Sequence, residues 1–146
     1  MHEHAGWGGA APILRVADVS ASVGYYTKAL GFSVDWAYPS IVSVSRDHCT
    51  IFLCQSDQTS GPTWVWIGVP DVQALHEELR GRGAHVRQAP TNFEWALEMQ
   101  IRDPDGNVLR IGSEPLAGAA QGPWLDATGR VWSQQSDGSW LLTDSP

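Results

Sequence analysis

Arg102-Asp103-Pro104-Asp105-Gly106-Asn107-Val108-Leu109-Arg110-Ile111-Gly112 reads as the end of one strand, a sharp reversal and a second strand. Asp and Asn turn the chain by bonding nearby backbone, Pro presets φ, and Gly takes positive φ without strain. Working backwards, Glu94 to Arg102 and His85 to Gln88 are β-prone runs. Before them Val72, Leu75 and Leu79 fall at helical spacing between the start signal Pro70-Asp71 and the breaker Gly81-Arg82-Gly83. Thr63 to Val69 is β-rich again. The stretch therefore closes a β-α-β-β-β unit.

The same order stands upstream. Ile13-Leu14-Arg15-Val16 is β-prone, and Asp18 or Ser20 can cap a helix over Ala21 to Leu30 that stops at Gly31. Ser33 to Tyr38, Ile41 to Ser45 and Thr50 to Gln55 follow as strands, with turns at Pro39-Ser40 and Arg46-Asp47-His48. Two units of one pattern at low identity indicate internal duplication. The predicted fold class is α+β: two βαβββ modules, about 10–56 and 62–116, that make one domain over 10–116. Each sheet alone has an uncovered face, and pairing them predicts an open cup-shaped sheet with helices outside, a natural small-molecule site.

Residues 119–146 belong to neither module. Trp124 to Ala127, Arg130 to Gln135 and Ser139 to Thr143, separated by Thr128-Gly129 and Asp137-Gly138, predict a C-terminal β-hairpin meander. Its Trp124, Trp132 and Trp140 are expected to anchor the extension by packing.

Composition narrows the function classes. With 42% hydrophobic and 17% charged residues the chain reads as globular. A net charge of -7 disfavours nucleic acid, whose phosphates need Lys and Arg, and would attract a cationic small molecule. No apolar run has membrane-spanning length, and the start MHEHAGWGGAAP lacks a basic region followed by an apolar one, so a cytoplasmic protein without a membrane partner is expected. Cys49 and Cys54 lie five apart in a β-prone run, on opposite faces of a strand, which argues against a disulfide.

Three separated landmarks carry a family resemblance. Ile13-Leu14-Arg15-Val16-Ala17-Asp18-Val19 followed by Ser22-Val23-Gly24-Tyr25-Tyr26-Thr27-Lys28-Ala29-Leu30-Gly31-Phe32, then Val69-Pro70-Asp71-Val72, then the 102–112 stretch, resemble the vicinal oxygen chelate superfamily. The likeness is to its bleomycin-resistance-like branch and covers about Pro12 to Glu114. It implies a homodimer whose grooves are shared between subunits.

Metal-using members of the superfamily carry His, Glu or Gln at four cup-facing positions. In this chain the resemblance puts Ala11, Phe52, Trp64 and Arg110 there. An aliphatic or aromatic side chain has no donor lone pair and a guanidinium stays protonated, so no metal and no cofactor is expected. His2 and His4 sit in a terminus expected to be mobile, where chance metal affinity is favoured over a designed site, and His48, His76 and His85 read as surface histidines with no second donor at a ligating spacing. For nucleophilic catalysis, Cys54 has no evident activating neighbour, and Ser-x-x-Lys and Gly-x-Ser-x-Gly motifs are missing. Glu94 and Glu98, four apart in a β-prone run, would share one face, a weak acid/base pair.

Strand alternation from those four positions lines the cup with Trp64, Trp66 and Gly68, with Thr50, Phe52 and Cys54, and with Val108, Arg110 and Gly112. Phe93, Glu94 and Trp95, in the loop that borders the groove in resistance-like relatives, are candidate rim contacts. The candidate ligand-binding set is therefore Phe52, Trp64, Trp66, Phe93, Glu94, Trp95 and Arg110, with Glu98 or Asp35 as possible charge partners of Arg110. Aromatic walls with few charges suit a planar or cationic organic molecule. The expected function is metal-free binding and sequestration of such a molecule, in the manner of bleomycin resistance, without turnover. The alternatives are a divergent metal-dependent lyase, isomerase or dioxygenase of the same superfamily, and a regulatory protein whose cup is filled by its own tryptophans.

Overall fold

The computed structural model describes residues 6–143, so His2 and His4 lie outside the described residues. The chain divides into two compact units. One runs to Thr63 and includes Pro104–Asn107; the other takes Trp64–Asp103 and the chain from Val108 onward.

In the first unit β1 (Ile13–Arg15) leads into α1 (Val19–Lys28), followed by β2 (Ser33–Ala37), β3 (Ile41–Arg46) and β4 (Cys49–Cys54). Asp18 rather than Ser20 caps the helix, its carboxylate accepting from Ala21 N at 3.2 Å, so the helix begins earlier than its apolar pattern suggested. The Ala29 N–H donates to Tyr25 O, and Gly31 at φ 75° turns the chain away. The sheet runs β1-β4-β3-β2, with β1 parallel to β4 and the other pairs antiparallel. Register places Leu14, Leu53 and Val42 in one row and Ile51 with Val44 in the next. All five are buried, and with Tyr26 of α1 they make this unit's core.

The buried turn residue Asn107 belongs to this unit. It accepts from Thr63 N at 2.9 Å and donates to Arg15 O at 3.1 Å, while Asp105 accepts from Ala17 N at 3.0 Å. A segment that stands out for its turn chemistry thus also fastens the C-terminal end of β1 and the chain at Thr63.

The second unit repeats the order: β5 (Trp64–Gly68), α2 (Val72–Gly81), β6 (His85–Asn92), β7 (Leu97–Arg102) and β8 (Val108–Ser113). Asp71 caps α2 by accepting from Ala74 N at 3.0 Å. The sheet order β5-β8-β7-β6, with β5 parallel to β8, is that of the first unit strand for strand. Met99, Ile101, Leu109 and Ile111 are buried with Val72 and Leu79 of α2. Two strand boundaries differ from the sequence reading. β6 continues through Pro90 because it is an edge strand with irregular pairing there, where a missing N–H costs no ladder bond. β7 starts at Leu97, since Phe93 N donates to Ala96 O at 2.8 Å and makes 93–96 a turn.

The extension is a three-stranded antiparallel sheet in the order β11-β10-β9, from β9 (Trp124–Leu125), β10 (Val131–Gln134) and β11 (Trp140–Leu142). Gly129 and Gly138 take positive φ at its two turns. Among the described residues no helix is long and apolar enough to cross a membrane.

Candidate functional site

The side of the second sheet that faces away from α2 is polar and aromatic. Register aligns Trp66 with Arg110, Arg110 with Gln100, and Gln100 with Gln88; Gly68, Gly112, Glu98 and Thr91 form the neighbouring row. Strand alternation therefore places Trp64, Trp66, Gly68, Val108, Arg110 and Gly112 on one face. Gly112 leaves the space that Trp66 fills: a Cβ there would stand 2.6 Å from the Trp66 ring.

The extension covers part of this face. Gln88 donates to Pro123 O at 2.8 Å, Gln100 donates to Leu125 O at 3.1 Å, and Arg87 donates to Leu125 O at 3.2 Å, to Asp126 O and to the Gln100 side chain. Asn92 holds the segment leading there, accepting from Leu116 N at 2.7 Å and from Gly122 N at its own carbonyl at 2.9 Å. β9 arrives with its free carbonyls over side-chain donors, which satisfies polar groups on both sides. Burial pulls Arg87 below the ordinary arginine value and Arg102 adds to this, while the Asp126 charge opposes it.

At the centre Glu98, 1% exposed, accepts from Arg110 Nε at 2.9 Å, from Arg110 Nη2 at 3.0 Å and from Trp95 Nε1 at 2.6 Å. This bidentate pair fixes the guanidinium, whose Cζ lies 5.0 Å from the centroid of Trp124 and 5.4 Å from that of Trp66. Arg110 thus has Glu98 as its charge partner, while Asp35, in the first unit, accepts from Ser43 and Ser45.

Beside this centre opens a cleft of about 530 Å³, lined by Trp95, Arg110, Trp124, Asp126, Trp132 and Trp140. Its walls are fixed from behind. Phe93, buried, stacks on Trp95 at 4.8 Å and 5°, and meets Trp124 edge-on at 5.6 Å. Trp95 and Trp124 stand at 74° to each other. Asp126 Oδ2 accepts from Trp132 Nε1 at 2.9 Å, and its Oδ1 accepts from Thr128 N, Thr128 Oγ1 and Arg130 N. The Trp132 indole N–H foremost, then Arg130 and Thr128, hold the Asp126 carboxyl well below the usual carboxylate range against the opposing effect of desolvation.

Of the residues the sequence singled out, Trp95 and Arg110 line this cleft, and Phe93 stands behind it. Trp64 lies at its edge, under Arg87 at 5.3 Å and beside Trp124 at 6.3 Å, and Trp66 flanks Arg110. Phe52 is in the first unit, edge-on to Trp36 at 5.1 Å. Glu94 is exposed in the 93–96 turn and does not share a strand face with the buried Glu98, so the two are no acid/base pair. The residues missed are Trp124, Asp126, Trp132 and Trp140. The three tryptophans are visible in the sequence as anchors, and Asp126 carries no signal there; that the tryptophans also present rings to a cleft depends on where the extension docks. Both cysteines are free, and Cys54 does have a neighbour, Ser56 Oγ at 3.1 Å. Burial raises its thiol, but the Ser56 and Gln58 bonds and the Arg15 charge bring the net direction down. Among the described residues no three His, Cys, Asp or Glu side chains come together as a metal site requires.

The family model described as Glyoxalase/Bleomycin resistance protein/Dioxygenase superfamily matches residues 4–111. The chain belongs to this superfamily. Among solved structures it is similar to the bleomycin-binding protein from bleomycin-producing Streptomyces verticillus, complexed with copper(II)-bleomycin, at 26% identity and a TM-score of 0.63, over 75% of this chain and 98% of that one. It shares the fold of TnmS3, an antibiotic binding protein from Streptomyces sp. CB03234, at 22% identity and a TM-score of 0.65, over 77% and 100% of the two chains. A glyoxalase/bleomycin resistance protein/dioxygenase from Nocardioides has the fold too, at 19% identity and a TM-score of 0.60, over 83% and 92%. No curated protein matches. Within the superfamily match, which ends at residue 111, lie Trp95 and Arg110; the other four cleft residues lie beyond it.

Proposed function

We propose that this superfamily member binds and sequesters a small planar or cationic organic molecule, without a metal and without turnover. The observation that carries the reading is the cleft itself: four indole rings around an arginine already neutralised by a buried carboxylate. A volume of about 530 Å³ lies in the size range of small-molecule sites, in a cleft that is open on one side. Indole faces offer stacking and cation–π attraction, and the locked Arg110–Glu98 pair offers neither a free base nor a free acid. Trp64 and Arg110, at two positions where metal-using relatives carry ligands, are engaged with Arg87 and with Glu98 instead. The likeness to a bleomycin-binding protein supports the same ligand class. In this reading the protein works in the cytoplasm as a homodimer, the assembly that the family resemblance implies, and sedimentation of the purified protein measures the oligomeric part.

The test is a titration of untagged protein with bleomycin and a panel of planar cationic drugs in the presence of a chelator, read by tryptophan fluorescence and calorimetry. Saturable binding with the compound recovered unchanged is the expected result. Stoichiometric nickel, zinc or iron that chelation removes together with a catalytic activity would overturn it.

A further inference from the structure

The extension is absent from the matched part of the family, yet it supplies three of the four rings and the Asp126 carboxylate of the cleft lining. We propose that Trp95, Trp124, Trp132 and Trp140 form an aromatic cage for a fully alkylated ammonium group, and that the C-terminal sheet thereby sets which ligands this protein accepts. The inference rests on the binding reading above and adds the chemical group recognised.

Charge comes first. Of the two charged residues in the lining, Arg110 is cancelled by Glu98 through two hydrogen bonds, and Asp126 presents its carboxylate; Arg87, which feels that charge, is bonded to the backbone carbonyls of Leu125 and Asp126 and does not line the cleft. An anion therefore finds repulsion there, and a cation finds attraction.

Hydrogen-bonding capacity then separates one cation from another. A carboxylate offers about four lone-pair sites. Asp126 already accepts four bonds, three at Oδ1 from Thr128 N at 2.9 Å, Thr128 Oγ1 at 2.8 Å and Arg130 N at 2.8 Å and one at Oδ2 from Trp132 Nε1 at 2.9 Å, which leaves one lone pair, on Oδ2, too few for three donors. A primary ammonium carries three donors and is costly to desolvate unless they are met. A quaternary ammonium has no N–H to satisfy. It needs only negative potential and ring faces, which the Asp126 carboxylate and the indoles of the lining provide.

Ring orientation agrees. Two of the indole N–H groups are directed to carboxylates, Trp95 to Glu98 and Trp132 to Asp126, so these rings are held by their edges. The 74° between Trp95 and Trp124 makes a corner rather than a parallel slot, the arrangement suited to a compact cation more than to a single flat ring. Trp140 is seated against Gly122, whose missing Cβ would stand 3.2 Å from its ring. The cleft is large enough for the head group and part of the molecule that bears it.

The experiment uses the full chain and three probes: choline, its neutral isostere of equal size 3,3-dimethylbutan-1-ol, and the primary amine 3,3-dimethylbutan-1-amine, which matches the bulk of both. Binding is followed by tryptophan fluorescence against sodium chloride of equal ionic strength. Choline is expected to saturate the signal, with each of the other two weaker by about tenfold or more, the range of a desolvated cation–π contact. Trp132→Ala and Trp140→Ala are expected to weaken choline by a similar factor, with circular dichroism checking that each variant is folded. Equal binding of choline and the alcohol, or no saturable choline signal, overturns the cage, and this comparison needs no variant. A panel drug that binds the unaltered chain and both folded variants equally overturns the cage while leaving the binding reading in place. If choline binds through the cage and no drug does, the drug-like ligand class fails instead.

Discussion

Replacing Arg110 by Met tests the central pair directly. Glu98 is 1% exposed and accepts three hydrogen bonds, two of them from the guanidinium at 2.9 and 3.0 Å and one from Trp95 at 2.6 Å. Arg110→Met keeps most of the side-chain volume but leaves a buried carboxylate with one donor. Removing one partner of a buried ion pair costs about 3–5 kcal/mol. The Arg110 side chain is 28% exposed, so water reaches that end of the pair, and a loss near the low end, about 3 kcal/mol, is expected. Glu98→Met is milder, about 1 kcal/mol, because the guanidinium keeps the faces of Trp66 and Trp124 and some water. The double variant Arg110→Met/Glu98→Met removes the orphaned charge and should return to within about 1 kcal/mol of the unaltered protein. Urea unfolding followed by far-ultraviolet circular dichroism gives all three values, with constant m confirming a common unfolded state. An Arg110→Met loss below about 1 kcal/mol, or a double variant no better than that single one, refutes the claim that Glu98 depends on Arg110.

Asn107→Ala leaves Thr63 N without its acceptor and Arg15 O without its donor, and should lower urea stability by about 2 kcal/mol. Gly122→Ala places a Cβ at φ 76° and 3.2 Å from Trp140; a loss of about 1–2 kcal/mol and a shifted tryptophan emission are expected, and unchanged emission would count against the Trp140 seat. Because the folded-state Asp126 carboxyl titrates below its unfolded value near pH 3.9, its contribution is present above that value and is lost as pH falls through the folded one. The difference in melting temperature between the unaltered protein and Asp126→Asn should therefore shrink as pH is lowered from about 5 to about 2, and a constant difference would rule the linkage out.

Much of the architecture was legible before any coordinates. Both helix caps, Asp18 or Ser20 and Asp71, were visible as residue types, and the structure chose Asp18. The turns at 103–107, 128–129 and 137–138 stood out because their residues act locally, within the span of one reversal. The sequence reading stops β6 at Gln88, whereas the strand runs on through Pro90, since whether a proline ends a strand depends on whether that strand lies at an edge, a property of the whole sheet. Glu94 and Glu98 were spaced to share a face, but the turn at 93–96 takes Glu94 off the strand.

The site divides along the same line. Alternation counted from the positions that the family resemblance implied put Trp64, Trp66, Arg110 and Gly112 on one face, because a strand's side chains have a period of two wherever it is placed. The partner of Arg110 and the residues closing the cleft could not be read that way. Trp95 and Trp124 meet because β9 docks over β6 and β7 through Arg87, Gln88 and Gln100, contacts that join side chains 25 to 39 residues apart to backbone carbonyls. What the sequence determined by itself is the pair of βαβββ modules and the tryptophan-rich meander, each specified by short-range periodicity and turn chemistry. Which face the meander covers, and that its rings become cleft walls as well as anchors, was decided by tertiary structure, because burial of a given face depends on distant groups that complement it.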